Sequence, residues 1–271
     1  MSNTIQIMGG LGNQLFQVFV LLSYSISNKL AFHFEITELS RIDRPFYWNN
    51  FLKSLKPFLK PIIQLPLYYE PEFNYNKIPL FNSPFKLYGY FQSYKYFDKN
   101  KHIIEKLIKL KNQQENLKND YEFSNIISIH FRIGDYINIQ QHHPLLPIEY
   151  YKKALHKLIT KTNKNNWRVL YFCEEQDIKH VEKKVSILKL EFSNLIFEKI
   201  NSKYADWEQM LIMSLCQHNI IANSSFSWWG AYFNKNNNKL VYYPSKYFGP
   251  AEGDKNLNDM FPDDWTKINN I

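Results

Sequence analysis

The chain has 271 residues, 45% of them hydrophobic and 17% aromatic, with a formal charge of +8 and a pI of about 9.1. That is ample for one large domain or two small ones. The basic balance favours anionic partners (nucleic acid, phosphorylated small molecules, an anionic membrane face), but the surplus is dispersed along the chain and does not choose among them.

Several classes are set aside at once. Two cysteines, Cys173 and Cys216, lie inside apolar segments, which predicts buried thiols in a reducing compartment and no disulfide framework. No basic region followed by a long apolar stretch opens the sequence, so no signal peptide is expected. The apolar stretch from Leu15 to Ile26 is interrupted by Gln17, Ser23 and Ser25 and is too short to span a bilayer. A soluble cytoplasmic protein is expected.

In chain order, a strand over 4–8 leads through a Gly turn to a helix over 13–28 and a strand over 30–34. Residues 41–86, rich in Pro and aromatics, predict loops and short packed helices. Residues 99–122, rich in Lys and Asn, predict an exposed helix and a connector, with a domain boundary at 122. Beyond it the pattern becomes regular. Strands are predicted at 126–130, 168–173, 195–198, 219–222 and 239–243. Helices between them are predicted at 148–162, 177–190, 205–217 and 226–235. Such alternation implies right-handed crossovers and a parallel sheet, hence an α/β fold of two Rossmann-like halves, residues 1–122 and 123–271.

Ligands of open parallel sheets bind beyond the carboxyl ends of the strands. His130, Arg132 and Asp135 follow the first strand of the second half. Glu174 and Glu175 follow the second, Asn201 and Asp206 the third, and "NSSFSWWG" (223–230) the fourth. Arg132 offers a fork of donors suited to phosphate, or an ordinary ion pair with Asp135. His130 is as readily a core histidine as a ligand contact, and Asp135 is a general base or a turn residue. Ser224 and Ser225 suit an anion site at a helix N-terminus, or a plain serine cap. Trp228 and Trp229 read as core. Asp206 with Gln209 reads as a capping box or as an acceptor for the donor edge of guanine. "GGLGNQ" (9–14) joins a strand to a helix but lacks the third glycine of a dinucleotide fingerprint. There is no D-x-D motif, no P-loop, no G-x-S-x-G and no zinc spacing, so no metal site is predicted.

Together these segments resemble the α-1,2-fucosyltransferases of glycosyltransferase family 11. The resemblance is carried by "GGLGNQLFQ" (9–17), "YFQSYKYF" (90–97), "HFRIGDY" (130–136), "LPIEYY" (146–151) and "MSLCQHNIIANSSFSWWGAYF" (213–233). Ile133 stands where that family has a second arginine, and "FCEEQ" (172–176) where it often has F-S-D-D. Glu174 and Glu175 receive no role. The resemblance implies a GT-B-like fold, with GDP-fucose bound by the C-terminal half and the acceptor shaped by the N-terminal half, including residues 41–86. It implies that Arg132 holds the diphosphate, that Ser224, Ser225 and Phe226 line it, and that His130 and Asp206 contact guanine. The loop of Gly10, Gly12, Asn13 and Gln14 then faces the reacting centre, with Arg132, Asp135 and Asn13 as the catalytic set. The implied reaction is inverting and metal-independent, needs no cofactor beyond the donor, and fucosylates the 2-hydroxyl of a galactose-terminated oligosaccharide. The positive charge gives the enzyme a reason to meet lipid-linked acceptors at the inner membrane face. Competing expectations are another GDP-sugar, another fucosyl linkage, or a non-catalytic glycan- or nucleic-acid-binding protein. The last is disfavoured because Lys is dispersed and no recognition motif is present.

Overall fold

The computed structural model describes residues 2–36 and 44–269. The start of the segment expected to be irregular, residues 41–43, lies outside the described residues. The chain divides into two compact units. The first is Met1–Gln113 with Lys255–Pro262, and the second is Gln114–Asp254 with Asp263–Ile271. The division thus precedes the expected boundary at 122. Gln114 Nε2 donates to Ser214 Oγ at 2.7 Å, which ties the following connector into the second unit. The returning segment joins the first unit because Met260 and Phe261 are buried and Asp259 Oδ2 accepts from Tyr75 N at 3.2 Å.

The first unit contains β1 (Thr4–Ile5), α1 (Leu11–Asn28), β2 (Phe34–Glu35), β3 (Leu59–Lys60), β4 (Leu67–Tyr69), β5 (Lys86–Tyr88) and α2 (Lys101–Leu107). Strand β5 lies between β1 and β4, and β2 pairs with β3, all in parallel. The bonds Asn3 N to Ala31 O and His33 N to Asn3 O, both 2.9 Å, join the approach to β2 to that of β1. Helix α1 is buried along most of its length, so its polar residues need partners inside the unit. Asn100 Nδ2 supplies one, donating to Ser23 Oγ at 3.0 Å.

Helix α3 (Leu110–Glu115) spans the division. The second unit continues with β6 (Ile126–His130), α4 (Ile148–Thr162), β7 (Arg168–Phe172), α5 (Ile178–Glu191), β8 (Ile196–Lys199), α6 (Asp206–Leu215), β9 (His218–Ile220), α7 (Ser225–Tyr232), β10 (Val241–Pro244) and β11 (Thr266–Ile268). One six-stranded sheet has the order β11-β10-β9-β6-β7-β8, and every pair is parallel. The chain builds outward from β6 through β7 to β8, then returns to build the other side from β9. The reversal point lies between β6 and β9, where such sheets bind ligands.

Alternation along β6 sorts its side chains by face. Ile127 and Ile129 enter the core cluster with Tyr150, Leu155 and Leu158 of α4 and Val181 and Val185 of α5. His130 shares the parity of Ser128, whose Oγ accepts from Asn219 Nδ2 at 2.7 Å. Trp228 and Trp229 are fully buried, as their sequence context predicted. Both thiols are unpaired and buried, and burial pushes Cys173 up to about 12. Among the described residues no helix is long and apolar enough to cross a membrane.

Helices α6 and α7 meet at Gly230, where an added Cβ would lie 2.8 Å from Met213 Cβ. Gly230→Ala is therefore expected to destabilise the second unit by about 1–3 kcal/mol through overpacking. A lowered urea midpoint checks this, and an unchanged midpoint would show that the helices separate at no cost.

Candidate functional site

Strand register places the site. His130 pairs with Phe172, so two residues on Arg132 lies level with Glu174. Ile129 pairs with Ile220, which sets Asn223 level with Arg132 on the other side. The guanidinium of Arg132 donates to Glu174 Oε1 through one terminal nitrogen and to Asp135 Oδ1 through the other. Its carbon lies 4.9 Å from the centroid of Tyr136, and Tyr136 OH donates to Asn223 O at 3.1 Å. Burial opposes the charge on Arg132, but the two carboxylates outweigh it and raise its pKa. Burial likewise pushes Tyr136 up to about 12.

Gly134 makes this geometry possible. Its φ is +39°, and a Cβ there would lie 3.0 Å from Glu174 Oε2. Its N–H donates to Asp177 Oδ2 at 2.7 Å, so a buried carboxylate anchors the turn. The ion pair with Asp135 is thus present, as the simpler reading of Arg132 held, but Glu174 is a second partner.

His130 is buried, its ring 5.5 Å from that of Phe226, and its Nδ1 has no hydrogen-bond partner. Burial first and Arg132 second lower its pKa to about 3. The ring is neutral at any ordinary pH and can offer one donor and one acceptor. Ser224 is the N-cap of α7, its Oγ accepting from Phe226 N at 3.4 Å. Ser225 opens the helix, so the cap and the anion-site readings fall on the same turn. The register therefore brings His130, Arg132, Asp135, Ser224, Ser225 and Phe226 to one edge, at the reversal point.

Asp206 lies after β8, two strands from β6 and so roughly 10 Å away across the sheet. Its capping box with Gln209 does not form. Ala205 is the N-cap, Glu208 Oε2 accepts from Ala205 N at 2.8 Å, and Gln209 Nε2 donates to Tyr204 O at 3.0 Å. Asp206 Oδ1 accepts from Trp207 N at 2.7 Å. Asp206 is the first residue of the helix and not its cap.

The glycine motif occupies the first unit. Gly9 has φ +75°, and a Cβ there would lie 2.8 Å from Asn13 Nδ2, whereas one on Gly10 would meet nothing within 4 Å. Gly9 is thus the glycine the turn requires, and Gly10, the N-cap of α1, presents open backbone. Gly12 and Gln14 are buried in the first turn. Gln14 Nε2 donates to Gly9 O and Pro45 O, both at 2.9 Å. Asn13 Oδ1 accepts from Gln92 Nε2 at 2.8 Å, and Gln17 Nε2 donates to Gly89 O at 3.2 Å. These bonds join the glycine motif to the aromatic segment. Glu70 fixes that segment, its Oε2 accepting from Tyr90 N at 2.8 Å and Phe91 N at 2.9 Å.

Sequence reasoning missed Glu174, Asp177, Tyr136, Glu70 and Gln92. Glu174 had a readable signal, since it lies as far past the end of β7 as Arg132 lies past β6. The others are long-range bonds with no local pattern. Among the described residues no group of three or more His, Cys, Asp or Glu is arranged to hold a metal ion.

A parallel sheet with a cation and a capped helix at its reversal point defines an α/β protein of the nucleotide-binding kind. The model of glycosyl transferase family 11 matches residues 2–269; the chain belongs to this family, the α-1,2-fucosyltransferase family, and is a glycosyltransferase. The O-antigen biosynthesis glycosyltransferase WbnK of Escherichia coli is 30% identical over 196 residues, 67% of this chain and 60% of that protein, so the match spans less than two thirds of the relative's length. An α-1,2-colitosyltransferase of Escherichia coli is 25% identical over 291 residues, 97% of each chain. Among solved structures, the E. coli ADP-heptose lps heptosyltransferase II superposes with a TM-score of 0.51 at 10% identity, covering 99% of this chain and 90% of that one. That likeness is one of fold, α/β with parallel sheets and GT-B-like.

Burial raises the Glu70 pKa from 4.5 to about 7, against the lowering effect of the two amide bonds and Lys255. The folded state then holds this proton more tightly than the unfolded chain does. The contribution to stability is complete below about 4.5 and is lost as pH rises to about 7. The loss is on the order of 3 kcal/mol. Urea midpoints taken at the two ends of that window should fall with rising pH in the native protein, and less in Glu70→Gln, which keeps an acceptor but not the ionisation. Equal falls in both proteins would remove Glu70 as the cause.

Proposed function

We propose that this glycosyltransferase moves fucose from GDP-β-L-fucose to the 2-hydroxyl of a galactose, with inversion to an α-1,2 linkage and without a divalent ion. The observation that carries the reading is the level placement of Arg132 and the Ser224–Phe226 turn on either side of the sheet's reversal point, in a member of family 11. As the C1–O bond to the diphosphate breaks, negative charge grows on GDP. Arg132 and the amides opening α7 are suited to stabilise it. The acceptor oxygen forms the new bond to C1 and its proton passes to a base, for which Asp135 is the candidate. Asn13, oriented by Gln92, is proposed to position that hydroxyl. Neutral His130 and Asp206 are proposed to read guanine, and Gly10 and Gly12 to admit substrate to backbone. The chemistry and the two unpaired thiols suit a cytoplasmic enzyme. The acceptor is proposed to be a galactose-terminated oligosaccharide, in the free or lipid-linked form.

A second reading has its own support. The relative matched over 97% of both chains is named for colitosyl transfer, so a related GDP-deoxyhexose is the alternative donor.

The test is incubation with GDP-fucose, and separately with other GDP-sugars, and a panel of β-galactosides in the presence of a chelator, with linkage analysis of the product. An α-1,2-fucosylated galactoside is expected. Turnover only with another donor, another linkage, or a requirement for metal would overturn the corresponding part. Arg132→Ala in the same assay should lose roughly 10²–10³ in rate, the effect of deleting one donor to a developing oxyanion. Retention of half the activity would remove Arg132 from the mechanism.

A further inference from the structure

The second unit has a cavity of about 520 Å³ whose lining includes Lys161, Lys164, Trp167, His218, Lys239 and Leu240. It lies at the amino ends of the strands. Trp167 and Leu240 immediately precede β7 and β10, His218 opens β9, and Lys161 is in the last turn of α4. Arg132 and Ser224 follow the other ends of β6 and β9. The length of β6 therefore sets the two places roughly 15 Å apart. The volume is that of a small-molecule site.

The lining is cationic. Lys164 Nζ lies 4.0 Å from the centroid of Trp167. Lys239 Nζ donates to Ala231 O at 3.0 Å and to Asn234 O at 2.8 Å, so its charge is held in place. Among the described residues no carboxylate lines the cavity. His218 is 3% exposed, packs edge to face on Trp167, and accepts from Leu240 N through Nδ1 at 3.1 Å. Burial first and Lys164 second lower its pKa to about 4. At neutral pH the ring is uncharged and its one proton sits on Nε2. His218 thus has a donor to give and no ring acceptor left. A helix C-terminus by itself favours a lysine, which suffices for Lys161. It does not account for Lys239, which comes from the loop after α7, or for a neutral buried ring donor.

We infer that this cavity binds a phosphorylated small molecule, at a place separate from the Arg132 edge. The phosphate meets Lys161, Lys164 and the Nε2–H of His218, in charge-assisted hydrogen bonds. The rest of the ligand lies against Leu240 and the aliphatic stems of the lysines. Three cations with no acid beside them favour a doubly charged phosphate over a single carboxylate.

The test is the initial rate of lysine acetylation along the full chain, read by mass spectrometry with glucose 1-phosphate, with glucose, or with neither. At ten times its dissociation constant, glucose 1-phosphate should slow acetylation of Lys161 and Lys164 about tenfold. Glucose should not slow it. The exposed Lys179 and Lys183 on α5 should react at the same rate throughout. Calorimetric titration with glucose 1-phosphate supplies the second measurement. Lys161→Ala with Lys164→Ala should weaken binding by roughly tenfold or more, the value of hydrogen bonds to a charged group, at an unchanged melting temperature. No slowing at Lys161 and Lys164, equal slowing by glucose, equal slowing at every exposed lysine, or an unchanged affinity in the double variant would overturn the inference.

Discussion

The guanidinium of Arg132 is gripped by Glu174 from the neighbouring strand and by Asp135 from its own turn, with Tyr136 against its face. An arginine so held has few rotamers left, so little further ordering is needed when it meets an anion. Two of its five N–H groups point at carboxylates. The trio carries one net negative charge, so the arginine alone does not make an anion site. The N-terminus of α7 beside it adds partial positive charge and backbone donors. The parallel order of the sheet brings these two contributions together, and the positive φ of Gly134 lets the turn pass close to Glu174.

The first unit shows the same economy with different groups. A strained turn, Gly89 to Phe91 with φ of +157° and +52° at its ends, is held by the half-buried carboxylate of Glu70 and by Gln17. That turn delivers Gln92 to Asn13. Two segments more than seventy residues apart in sequence are thereby one hydrogen-bonded object, and each motif has a packing reason to accompany the other. Asn13 is set by this network, which suits a side chain that orients a substrate group.

Legibility followed the physical range of each signal. Helix α4 was readable to both ends because its apolar stripe is regular and Pro147 precedes it. The central strands β6 and β7 were readable as apolar runs, being buried on both faces. Strand β1 was drawn three residues too long. The apolar run continues, but Met8 N leaves the ladder to donate to Gln17 Oε1. Strands β4, β5 and β11 have three residues each, too few for a period to declare itself. The capping box at Asp206 was misjudged because a side-chain cap was sought, and the N-cap, Ala205, has none to give. Within the site, every residue on a strand end could be collected by a topological rule, whereas Glu70 and Gln92 act through contacts that only the folded chain reveals.

Whether the Arg132 guanidinium meets the diphosphate is tested most directly by calorimetric titration of the native enzyme and of Arg132→Ala with GDP and with guanosine. If the side chain addresses phosphate, GDP affinity falls by roughly ten- to a hundredfold, the value of charge-assisted hydrogen bonds, while guanosine affinity is unchanged. Equal loss for both ligands, or no loss for either, would contradict that role.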